Sequence, residues 1–316
     1  MNLQDFEYLN SNLDSSNLFG SDSSVANLFL LQEKYNTELK IHKNILFRYY
    51  YGSENRTGYG FPLPMKSLTE PAGSGKTPEN WLKTALEHIF EDARIQCRPV
   101  AFCLLTSPQK ALINENLARY FPGHSINWKT NRDDCDYIYL REKLAELPGS
   151  QYQKKRNHIS RFNRIYGTCG TNWEFKAFPE NDITADILQV SQKWYEENEG
   201  ENKEVLRLEH ESIKLALENT GLLGLRGGVL YIHGEPAAMT LAAPVSPDVL
   251  DVIYEKSFGD FEHNGAYAVI NQQFARRCQS FLYLNREEDM GVEGLRKAKL
   301  SYKPEMILEK FYGEVH

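Results

Sequence analysis

Alternating polar and apolar residues predict two strands early in the chain, over residues 37–44 and 45–52. Apolar residues at helical spacing follow at about residues 78–95, and an apolar run at residues 100–106 predicts a further strand. This part of the chain therefore has the order strand, strand, helix, strand.

The same order returns later in the chain. Two apolar runs flank His233-Gly234-Glu235, where glycine permits the positive φ of a tight hairpin turn. A strand at residues 249–258, a helix at about residues 265–278 and a strand at residues 281–285 follow.

This repetition predicts an internal duplication and an α/β fold, with mixed sheets flanked by helices. We place the two predicted domains at residues 1–148 and 149–316. Apolar spacing predicts three more helices between the repeats: at about residues 152–166, at residues 182–198 with Asp182 as the N-cap, and at about residues 203–219 with Gly221 as the C-cap.

The composition limits the class of protein. The 316 residues are 41% hydrophobic and 25% charged, with a formal net charge of -7, so no global charge attracts nucleic acid or anionic membranes. No apolar run reaches the ~18 residues of a membrane helix, and the polar N-terminus does not resemble a signal peptide. The five cysteines and eight histidines lack metal-ligand spacing. We expect a cytoplasmic protein with reduced thiols, no membrane insertion and no metal.

The stretch Gly75-Lys76-Thr77 resembles the end of a phosphate-binding P-loop. That loop needs another glycine where this chain has Glu70, whose charge would repel phosphate. Pro78 also disfavours helical geometry at Thr77. We therefore interpret the stretch as a loop, with Thr77 as the N-cap and Pro78 as the first residue of the next helix.

Three longer segments carry a family resemblance: residues 131–149, residues 153–162, and residues 284–304 with the sequence LNREEDMGVEGLRKAKLSYKP. Together with the Asn-Leu-Phe-Leu sequence at Asn27, they resemble the family related to the C-terminal domain of phosphatidylglycerol lysyltransferase. The resemblance covers about residues 27–311. It implies two tandem GNAT-like (acyl-CoA N-acyltransferase) domains, an architecture also found in the Fem peptidyltransferases, which use aminoacyl-tRNA. The lysyltransferase domain moves lysine from its tRNA ester to a lipid head group.

One predicted helix in the middle of the chain is strongly basic. At 100° per residue, Lys154, His158 and Arg161 lie along one stripe, and Lys155 and Arg156 add to the charge. Such a surface would bind the phosphates of a donor such as the acceptor stem of a tRNA. Alternatively, it is a solvated face that pairs with neighbouring acids.

Acidic residues follow the last strand, at a position where ligands gather in open α/β sheets. Glu287 and Asp289 alternate with Asn285, and either acid would accept the proton that an attacking amine loses. Alternatively, Asp289 caps the following helix and pairs with its cations. Three residues of that region are also candidates to bind a donor carboxylate or phosphate: Arg296, Lys299 and Tyr302.

The junction after the strand at residues 249–258 bears on the identity of the donor. Acetyl-CoA-dependent GNAT domains bind pyrophosphate there on glycine-rich backbone amides. This chain has only Gly259 and Gly265, separated by the acidic residues Asp260 and Glu262. Such a junction would hold an anion poorly, so the sequence favours an aminoacyl-type donor over coenzyme A.

Residues around this junction complete the predicted site. Glu255 is a charged residue in an otherwise apolar strand, so it needs a compensating neighbour or a pocket. The predicted pocket residues are Tyr267, Asn271, Asn285 and Tyr302.

We therefore expect an aminoacyl- or acyl-transferase that works by direct attack in the C-terminal domain. Glu255, Glu287 or Asp289 would be the general base, and no cofactor would be required. The donor would be aminoacyl-tRNA or acyl-CoA, and the acceptor a small molecule, a peptide or a lipid head group. The alternatives are an acetyl-CoA-dependent N-acetyltransferase and a non-catalytic module that binds a small ligand.

Overall fold

The computed structural model describes residues 1–52, 56–69, 80–198, 200 and 203–316. The Gly75-Lys76-Thr77 stretch and the helix start predicted at Thr77 and Pro78 lie outside these residues. The helix that follows begins at Trp81, and its N-cap is Asn80, whose side chain accepts a hydrogen bond from the backbone N–H of Lys83.

Helices and strands occur throughout the described residues. The helices are α1 (Leu3–Asn12), α2 (Val25–Leu30), α3 (Lys66–Thr69), α4 (Trp81–Ile95), α5 (Ser107–Tyr120), α6 (Arg141–Glu146), α7 (Gln153–Tyr166), α8 (Thr184–Asn198), α9 (Lys203–Glu218), α10 (Thr220–Leu223), α11 (Gly259–His263), α12 (Ala266–Arg277) and α13 (Glu293–Leu300). None of these described helices is long and apolar enough to cross a membrane. The strands are β1 (Thr37–His42), β2 (Ile45–Tyr51), β3 (Thr57–Tyr59), β4 (Leu63–Pro64), β5 (Ala101–Leu105), β6 (Lys129–Thr130), β7 (Asp136–Leu140), β8 (Trp173–Phe178), β9 (Arg226–Ile232), β10 (Glu235–Pro244), β11 (Val249–Ser257), β12 (Tyr283–Asn285), β13 (Met306–Leu308) and β14 (Phe311–Glu314).

The chain forms two compact units whose segments alternate along the sequence. Unit 1 contains Met1–Asn17, Leu31–Cys135 and Leu308–His316, and unit 2 contains Leu18–Leu30 and Asp136–Ile307. The single boundary predicted from the sequence, after residue 148, falls within unit 2.

Unit 1 is built on a mixed sheet with the strand order β1-β2-β3-β5-β14-β6, and β4 pairs with β2. Strands β1 and β2 form an antiparallel hairpin, whereas β3 and β5 are parallel. Helix α4 buries its apolar stripe completely at Leu86 and Ile89.

The second sheet has the strand order β13-β7-β12-β11-β10-β9-β8. Strands β8, β9, β10 and β11 pair antiparallel in sequence, and β11 pairs parallel with β12. Parallel strands need a crossover connection, and α12 lies within the segment that links β11 to β12. Both sheets are mixed and flanked by helices, so the predicted α/β fold class is confirmed.

The hairpin predicted around His233 is confirmed. Strands β9 and β10 meet at the pair Ile232–Glu235, which leaves a two-residue turn. Its residues His233 and Gly234 have φ of 51° and 86°, and a turn of this length needs positive φ at both positions to match the twist of the strands.

Unit 2 has its core where α7 and α12 pack on the sheet. Phe162 of α7 is fully buried and meets the Trp173 ring edge-on, with 5.6 Å between ring centroids. Val269 and Ile270 of α12 are also fully buried in this cluster. Phe162 therefore lies on the inward face of α7, the helix whose basic residues were predicted as a binding surface.

One prediction about a helix end needs correction. The helix predicted at about residues 203–219 is α9, which ends at Glu218, but its predicted C-cap, Gly221, lies inside the separate helix α10. The glycine in the left-handed conformation is Gly224, the C-cap of α10, with φ of 57°. Helices α1 and α5 were not predicted, although both begin with a reciprocal capping box.

Replacing Phe162 with alanine should destabilise unit 2 strongly, because it leaves a cavity between α7 and Trp173. We expect a loss of about 3–5 kcal/mol in the free energy of unfolding, measured by urea denaturation followed by circular dichroism. Ile165→Ala on the same helix is the matched control, because Ile165 is 47% exposed, and its change should stay within about 0.5 kcal/mol. Similar losses for the two variants would contradict the packing described here.

Candidate functional site

Strands β11 and β12 separate after a short parallel pairing. They pair at three positions, the last of which joins Asp251 and Asn285. Beyond it β11 continues to Ser257, whereas the backbone after β12 stays with β7, since Arg286 N donates to Tyr137 O and Tyr137 N to Glu287 O. We call this divergence the strand fork. It lies where the parallel pairing stops, just beyond the carboxyl end of β12, and ligands bind beyond the carboxyl ends of strands in many α/β proteins.

A buried ion pair spans the strand fork. Arg286 Nη2 lies 2.7 Å from Glu255 Oε1, with the two side chains only 14% and 11% exposed. The guanidinium carbon lies 5.2 Å from the centroid of the Tyr302 ring and 6.0 Å from that of Tyr139. The neighbour that Glu255 was expected to need is therefore Arg286, which the sequence analysis did not single out.

Lys155 of α7 lies beside this ion pair. Its Nζ is 3.7 Å from the centroid of the Tyr302 ring, and within the described part of the chain it makes no hydrogen bond or salt bridge. Burial, and to a smaller extent the positive charge of Arg286, lower the pKa of Lys155 to about 8, while Glu255 opposes the shift. Burial also raises the pKa of Tyr302 to about 12, against the effect of Arg286.

A second cluster contains two carboxyl groups that share one amide. Asn27 Nδ2 donates to Asp251 Oδ2 at 2.9 Å and to Glu287 Oε1 at 3.1 Å. Burial raises the pKa of both carboxyl groups. The negative charge of Glu287 raises the pKa of Asp251 further, and the negative charge of Glu288 raises the pKa of both. The pair therefore retains protons to a higher pH than ordinary carboxyl groups do.

Two oxygen atoms of this cluster, one on the Asp251 carboxyl group and one on the Asn27 amide, accept no hydrogen bond from the described residues. Oδ1 of Asp251 and Oδ1 of Asn27 are buried and have no hydrogen-bond partner among the described residues. Asp251 was missed in the sequence analysis, which weighed only Glu255 as a charge within that strand. The signal was clearer at Asp251, which lies between Leu250 and Val252, whereas Glu255 is followed by Lys256.

The backbone after β12 is held in an unusual conformation. Glu287 has a φ of 53°, which is uncommon for a residue with a side chain. Its N–H donates to Asn285 Oδ1 at 2.7 Å, and Asn285 Nδ2 donates to Asp136 Oδ2 and to the carbonyl of Phe19. Asn285 therefore fixes the segment that carries Glu287, instead of lining a free pocket.

Lys299 holds the same segment from α13. Its Nζ donates to the carbonyl oxygens of Arg286, Glu287 and Glu288 at 2.5 to 3.1 Å. All three of its N–H donors are therefore used within the chain, so its predicted contact with a donor molecule lacks a free N–H group.

Asp289 pairs with Arg296, as the alternative in the sequence analysis proposed. Arg296 donates from Nε and Nη2 to the two carboxylate oxygens at 2.8 and 2.7 Å, and the Tyr137 hydroxyl donates to Oδ2. These bonds hold the pKa of Asp289 well below its usual range. Asp289 is therefore a weak base, and its pairing with Arg296 gives it a structural role rather than the catalytic one.

The predicted basic residues of α7 have different environments. Lys154, His158 and Arg161 are exposed. Arg161 donates to Asn264 Oδ1 at 3.1 Å, and burial together with the charges of Lys155 and Arg161 lowers the pKa of His158. By contrast, Arg156 donates to the carbonyls of the preceding loop and ties α7 to it.

This basic face adjoins the N-terminus of α12. Gly265, the N-cap residue, has a φ of 105°, and a Cβ there would lie 3.1 Å from the His158 carbonyl oxygen. Glycine is required by both the backbone conformation and the close approach. The arrangement brings cations to a helix end that itself favours anions.

The remaining predicted pocket residues lie along α12. The Tyr267 hydroxyl accepts a hydrogen bond from Ser257 N at 3.2 Å, and burial raises the pKa of Tyr267. Asn271 is only 3% exposed, and within the described ranges its Oδ1 has no hydrogen-bond partner.

The described residues contain no group of three or more His, Cys, Asp or Glu side chains arranged to hold a metal ion.

Comparison with solved structures finds relatives across nearly the whole chain. A conserved protein of unknown function from Bacteroides thetaiotaomicron VPI-5482 is 31% identical, with a TM-score of 0.83 over 100% of this chain and 98% of that one. L-PGS from Bacillus licheniformis is 14% identical, with a TM-score of 0.61 over 99% of this chain and 91% of that one. The C-terminal domain (DUF2156) of a putative lysylphosphatidylglycerol synthetase from Agrobacterium fabrum is 13% identical, with a TM-score of 0.56 over 92% and 86%.

The family resemblance seen in the sequence is also confirmed by a family model. The model described as "Phosphatidylglycerol lysyltransferase, C-terminal" matches residues 14–313. Since this match covers almost all of the 316 residues, the chain belongs to the family of the phosphatidylglycerol lysyltransferase C-terminal domain.

Proposed function

We propose that the chain is an aminoacyl- or acyl-transferase whose reaction takes place at the strand fork of unit 2. The observation that carries this proposal is the set of charged residues immediately beyond the last β11–β12 pair. Glu255 and Arg286 bridge the fork, and Glu287 shares the amide of Asn27 with Asp251. Membership of a lysyltransferase-related family supports a transfer reaction, although fold alone does not determine chemistry.

The donor we propose is aminoacyl-tRNA, held through its phosphates. Lys154, His158 and Arg161 form an exposed basic face next to the N-terminus of α12. Because the whole chain is acidic, this local face supplies the attraction that the net charge does not. No cofactor is needed for a direct transfer of this kind.

The segment before α12, which contains the short helix α11, argues against coenzyme A as the donor. The N–H of Gly259 donates to Glu197 Oε2 at 2.8 Å. The N–H groups of Glu262, Asn264 and Gly265 donate to carbonyls within the same segment. These amides are therefore already bonded and are not free to surround a pyrophosphate.

The chemical step requires a group that accepts one proton. The amine or hydroxyl of the acceptor attacks the carbonyl carbon of the donor ester, loses its proton to the Asp251–Glu287 pair, and displaces the ester oxygen, which takes a proton in turn. A carboxyl pair with a raised pKa is suited to both transfers near neutral pH. The acceptor is a small molecule, a peptide or a lipid head group.

Glu255 has a positioning role in this proposal. Its carboxylate is engaged by Arg286, so it holds the guanidinium next to Tyr302 and Lys155 rather than removing a proton itself. The positive groups that remain near the fork would face the developing negative charge of the donor carbonyl.

Removing two cations from the basic face should weaken tRNA binding. We expect the double variant Lys154→Ala, Arg161→Ala to bind aminoacyl-tRNA about tenfold more weakly at ~100 mM salt, with a salt slope smaller by about 2. Binding is measured by filter retention across a salt series. The control is Lys214→Ala, Lys297→Ala, which removes two ion-paired lysines from elsewhere in unit 2. Tight acetyl-CoA binding without tRNA binding would instead identify an N-acetyltransferase, and binding of neither would favour a non-catalytic module.

Glu287→Gln should abolish most transfer without weakening donor binding, because the amide cannot accept the proton. We expect a loss of at least ~100-fold in the enzymatic release of radiolabelled amino acid from aminoacyl-tRNA with hydroxylamine as acceptor. The wild-type rate should rise with pH through the raised pKa of the pair, as a base must be deprotonated to act. Glu293→Gln, at an 81% exposed side chain in the next helix, is the control. Full activity of Glu287→Gln would remove Glu287 from the mechanism.

The same substitution has a stability effect that does not depend on any substrate. A carboxyl group with a raised pKa binds its proton more tightly in the folded state, so stability falls as pH rises from the unfolded pKa, ~4.3, through the folded one. Glu287→Gln removes that loss. The free energy of unfolding of the variant, relative to wild type, should therefore increase between pH 5 and pH 8.5, as measured by urea denaturation. A difference that does not change with pH would show that Glu287 titrates normally.

A further inference from the structure

Two buried oxygen atoms near the strand fork have no hydrogen-bond partner among the described residues. They are Thr240 Oγ1 and Asn271 Oδ1, and the two residues are 0% and 3% exposed. A buried oxygen without a partner costs stability, and such atoms are rare in folded proteins. The transfer step proposed above uses neither atom, so both still need an explanation.

Thr240 lies directly beside Glu255. The two residues are partners in the antiparallel pairing of β10 and β11, so their side chains lie on the same face of the sheet with Cβ atoms about 5 Å apart. The partner of Thr240 on its other side is Gly228, where an added Cβ would overlap the ring of Phe175. The Thr240 hydroxyl therefore has an aromatic ring on one side and a carboxylate on the other.

Asn271 of α12 faces the same pair of residues. The helix runs back along the sheet, because the chain leaves the end of β11 and returns to the start of the parallel strand β12. Near its beginning, the Tyr267 hydroxyl accepts a hydrogen bond from Ser257 N, at the end of β11. Asn271 follows one turn later on the same side of the helix, about 6 Å further on, and Glu255 lies two residues back along the strand, about 7 Å. This register places Asn271 over Glu255 and Thr240.

The neighbours of Asn271 on the helix agree with this placement. Ile270 is in the same core cluster as Ala238, and Phe274 is in the same cluster as Ala242. Thr240 lies midway between these two alanines on β10, and all three side chains are on one face of the strand. The part of α12 between Ile270 and Phe274 is therefore at the level of Thr240.

The three side chains together offer acceptors for N–H groups. Asn271 Oδ1 and the Glu255 carboxylate accept hydrogen bonds, and the Thr240 hydroxyl can accept one as well. Arg286 bonds to Oε1 of Glu255, and a carboxylate has a second oxygen that can bond to a ligand. A primary ammonium group has three N–H donors and no acceptor, so it matches this set.

The cations on the other side of Glu255 favour a different group. Arg286 pairs with Glu255, and Lys155 and Arg286 both lie by the Tyr302 ring. Positive groups attract a carbonyl oxygen, above all one that gains negative charge during a reaction. An α-amino acid ester carries an amino group and a carbonyl group on adjacent carbon atoms, and so meets both requirements.

We propose that Thr240, Asn271 and Glu255 form a subsite for the primary amino group of an α-amino acid whose carboxyl group is activated as an ester. The amino group donates to the three side chains, and the adjacent carbonyl oxygen faces Arg286 and Lys155. The identification of this ligand with the residue to be transferred rests on the proposed function, whereas the amine subsite itself does not.

The exposure of these residues sets the direction of binding. Glu255 and both cations are partly exposed, whereas Thr240 and Asn271 are buried. The ligand therefore enters with its amino group first and leaves its carbonyl carbon at the strand fork, where an acceptor can attack it. An acyl substituent on the amino nitrogen would meet the Phe175 ring or α12, so N-acylated amino acids are rejected.

Thr240→Val tests whether the hydroxyl lacks a partner in the free protein. Valine keeps the shape of threonine without its hydroxyl, so the melting temperature of the full chain, measured by scanning calorimetry, should rise by about 2 °C. Thr220→Val is the matched control, because the Thr220 hydroxyl donates to the carbonyl of Leu217 at 2.8 Å, and its melting temperature should fall. A fall for Thr240→Val as well would show that this hydroxyl is already bonded and would overturn the proposal.

Binding is tested with amino acid amides, which keep the amino and carbonyl groups and need no tRNA. The probes are alaninamide, leucinamide, lysinamide and glutamic acid α-amide, so that small, apolar, basic and acidic side chains are covered. Dissociation constants come from the rise of the melting temperature with ligand concentration. At least one amide should bind at millimolar concentrations, and its N-acetyl analogue at least about tenfold more weakly, because the acetylated nitrogen has one N–H and no charge.

Variants then assign the binding to the subsite. Thr240→Val and Asn271→Leu should each weaken binding of that amide about tenfold, since each removes one acceptor of the ammonium group. Thr220→Val should bind it as wild type does. Equal binding of the N-acetyl analogue, unchanged binding by both subsite variants, or no binding of any amide would overturn the proposal.

Transfer from N-acetylated aminoacyl-tRNA separates this inference from the proposed function. With hydroxylamine as acceptor, release of the amino acid should be at least about tenfold slower from the N-acetylated donor than from the free one. Equal release from both donors would keep the proposed function and overturn the amine subsite. Amide binding at the subsite without release from either donor would do the reverse.

Discussion

The ammonium group of Lys299 fixes the backbone on which the candidate site depends. It donates to three consecutive carbonyl oxygens, those of residues 286 to 288. These carbonyls follow the end of β12, where the strand has left β11 and can no longer bond to it. Backbone oxygens that no longer face a neighbouring strand still need donors, and Lys299 supplies one to each of the three, in addition to the bond that Glu287 O accepts from Tyr137 N. Arg286 and Glu287 owe their positions to this arrangement.

The strand fork concentrates polar groups that a continuous sheet could not accommodate. Arg286 and Glu255 compensate each other through an ion pair, but Asp251 and Glu287 repel one another and share a single amide donor. Repulsion, burial and the left-handed backbone of Glu287 all cost stability. Groups that work against folding persist in proteins mainly at functional sites. In the ion pair, the attraction between Arg286 and Glu255 offsets the cost of burying their charges. The carboxyl pair has no such attraction, so it is the stronger evidence of function.

The sequence predicted the regular parts of the fold better than the site. The hairpin at His233 and the order of strands and helices follow from local periodicity and turn chemistry, and both are seen in the structure. Unit 1, however, includes the last strand of the chain, β14, paired with β5. No local pattern indicates such a long-range pairing. Gly221 was wrongly predicted as the C-cap of α9 because a separate short helix, α10, follows, and only the backbone shows that Gly224 takes the left-handed conformation.

The same limit explains which site residues were found. Acids and cations near residues 285 to 302 stand out in the sequence, yet their roles depend on partners that are remote along the chain. Asn27 reaches Asp251 and Glu287 across more than 220 residues, and this contact is what distinguishes Glu287 from Asp289. Asp289 meets Arg296 only seven residues away, a spacing at which local pairing could be proposed from sequence.

The two sides of the strand fork differ in a way that bears on mechanism. One side holds the cations Lys155 and Arg286 beside the Tyr302 ring, and their positive charge would stabilise a negative charge. The other side holds the Asp251–Glu287 pair, which can bind and release a proton. Acyl transfer needs both properties, because negative charge develops on the donor while the acceptor loses a proton. A protein that merely bound an anion would gain nothing from keeping two repelling carboxyl groups in its core. The stability lost by burying these two carboxyl groups is explained if the pair must take up and release a proton during the reaction.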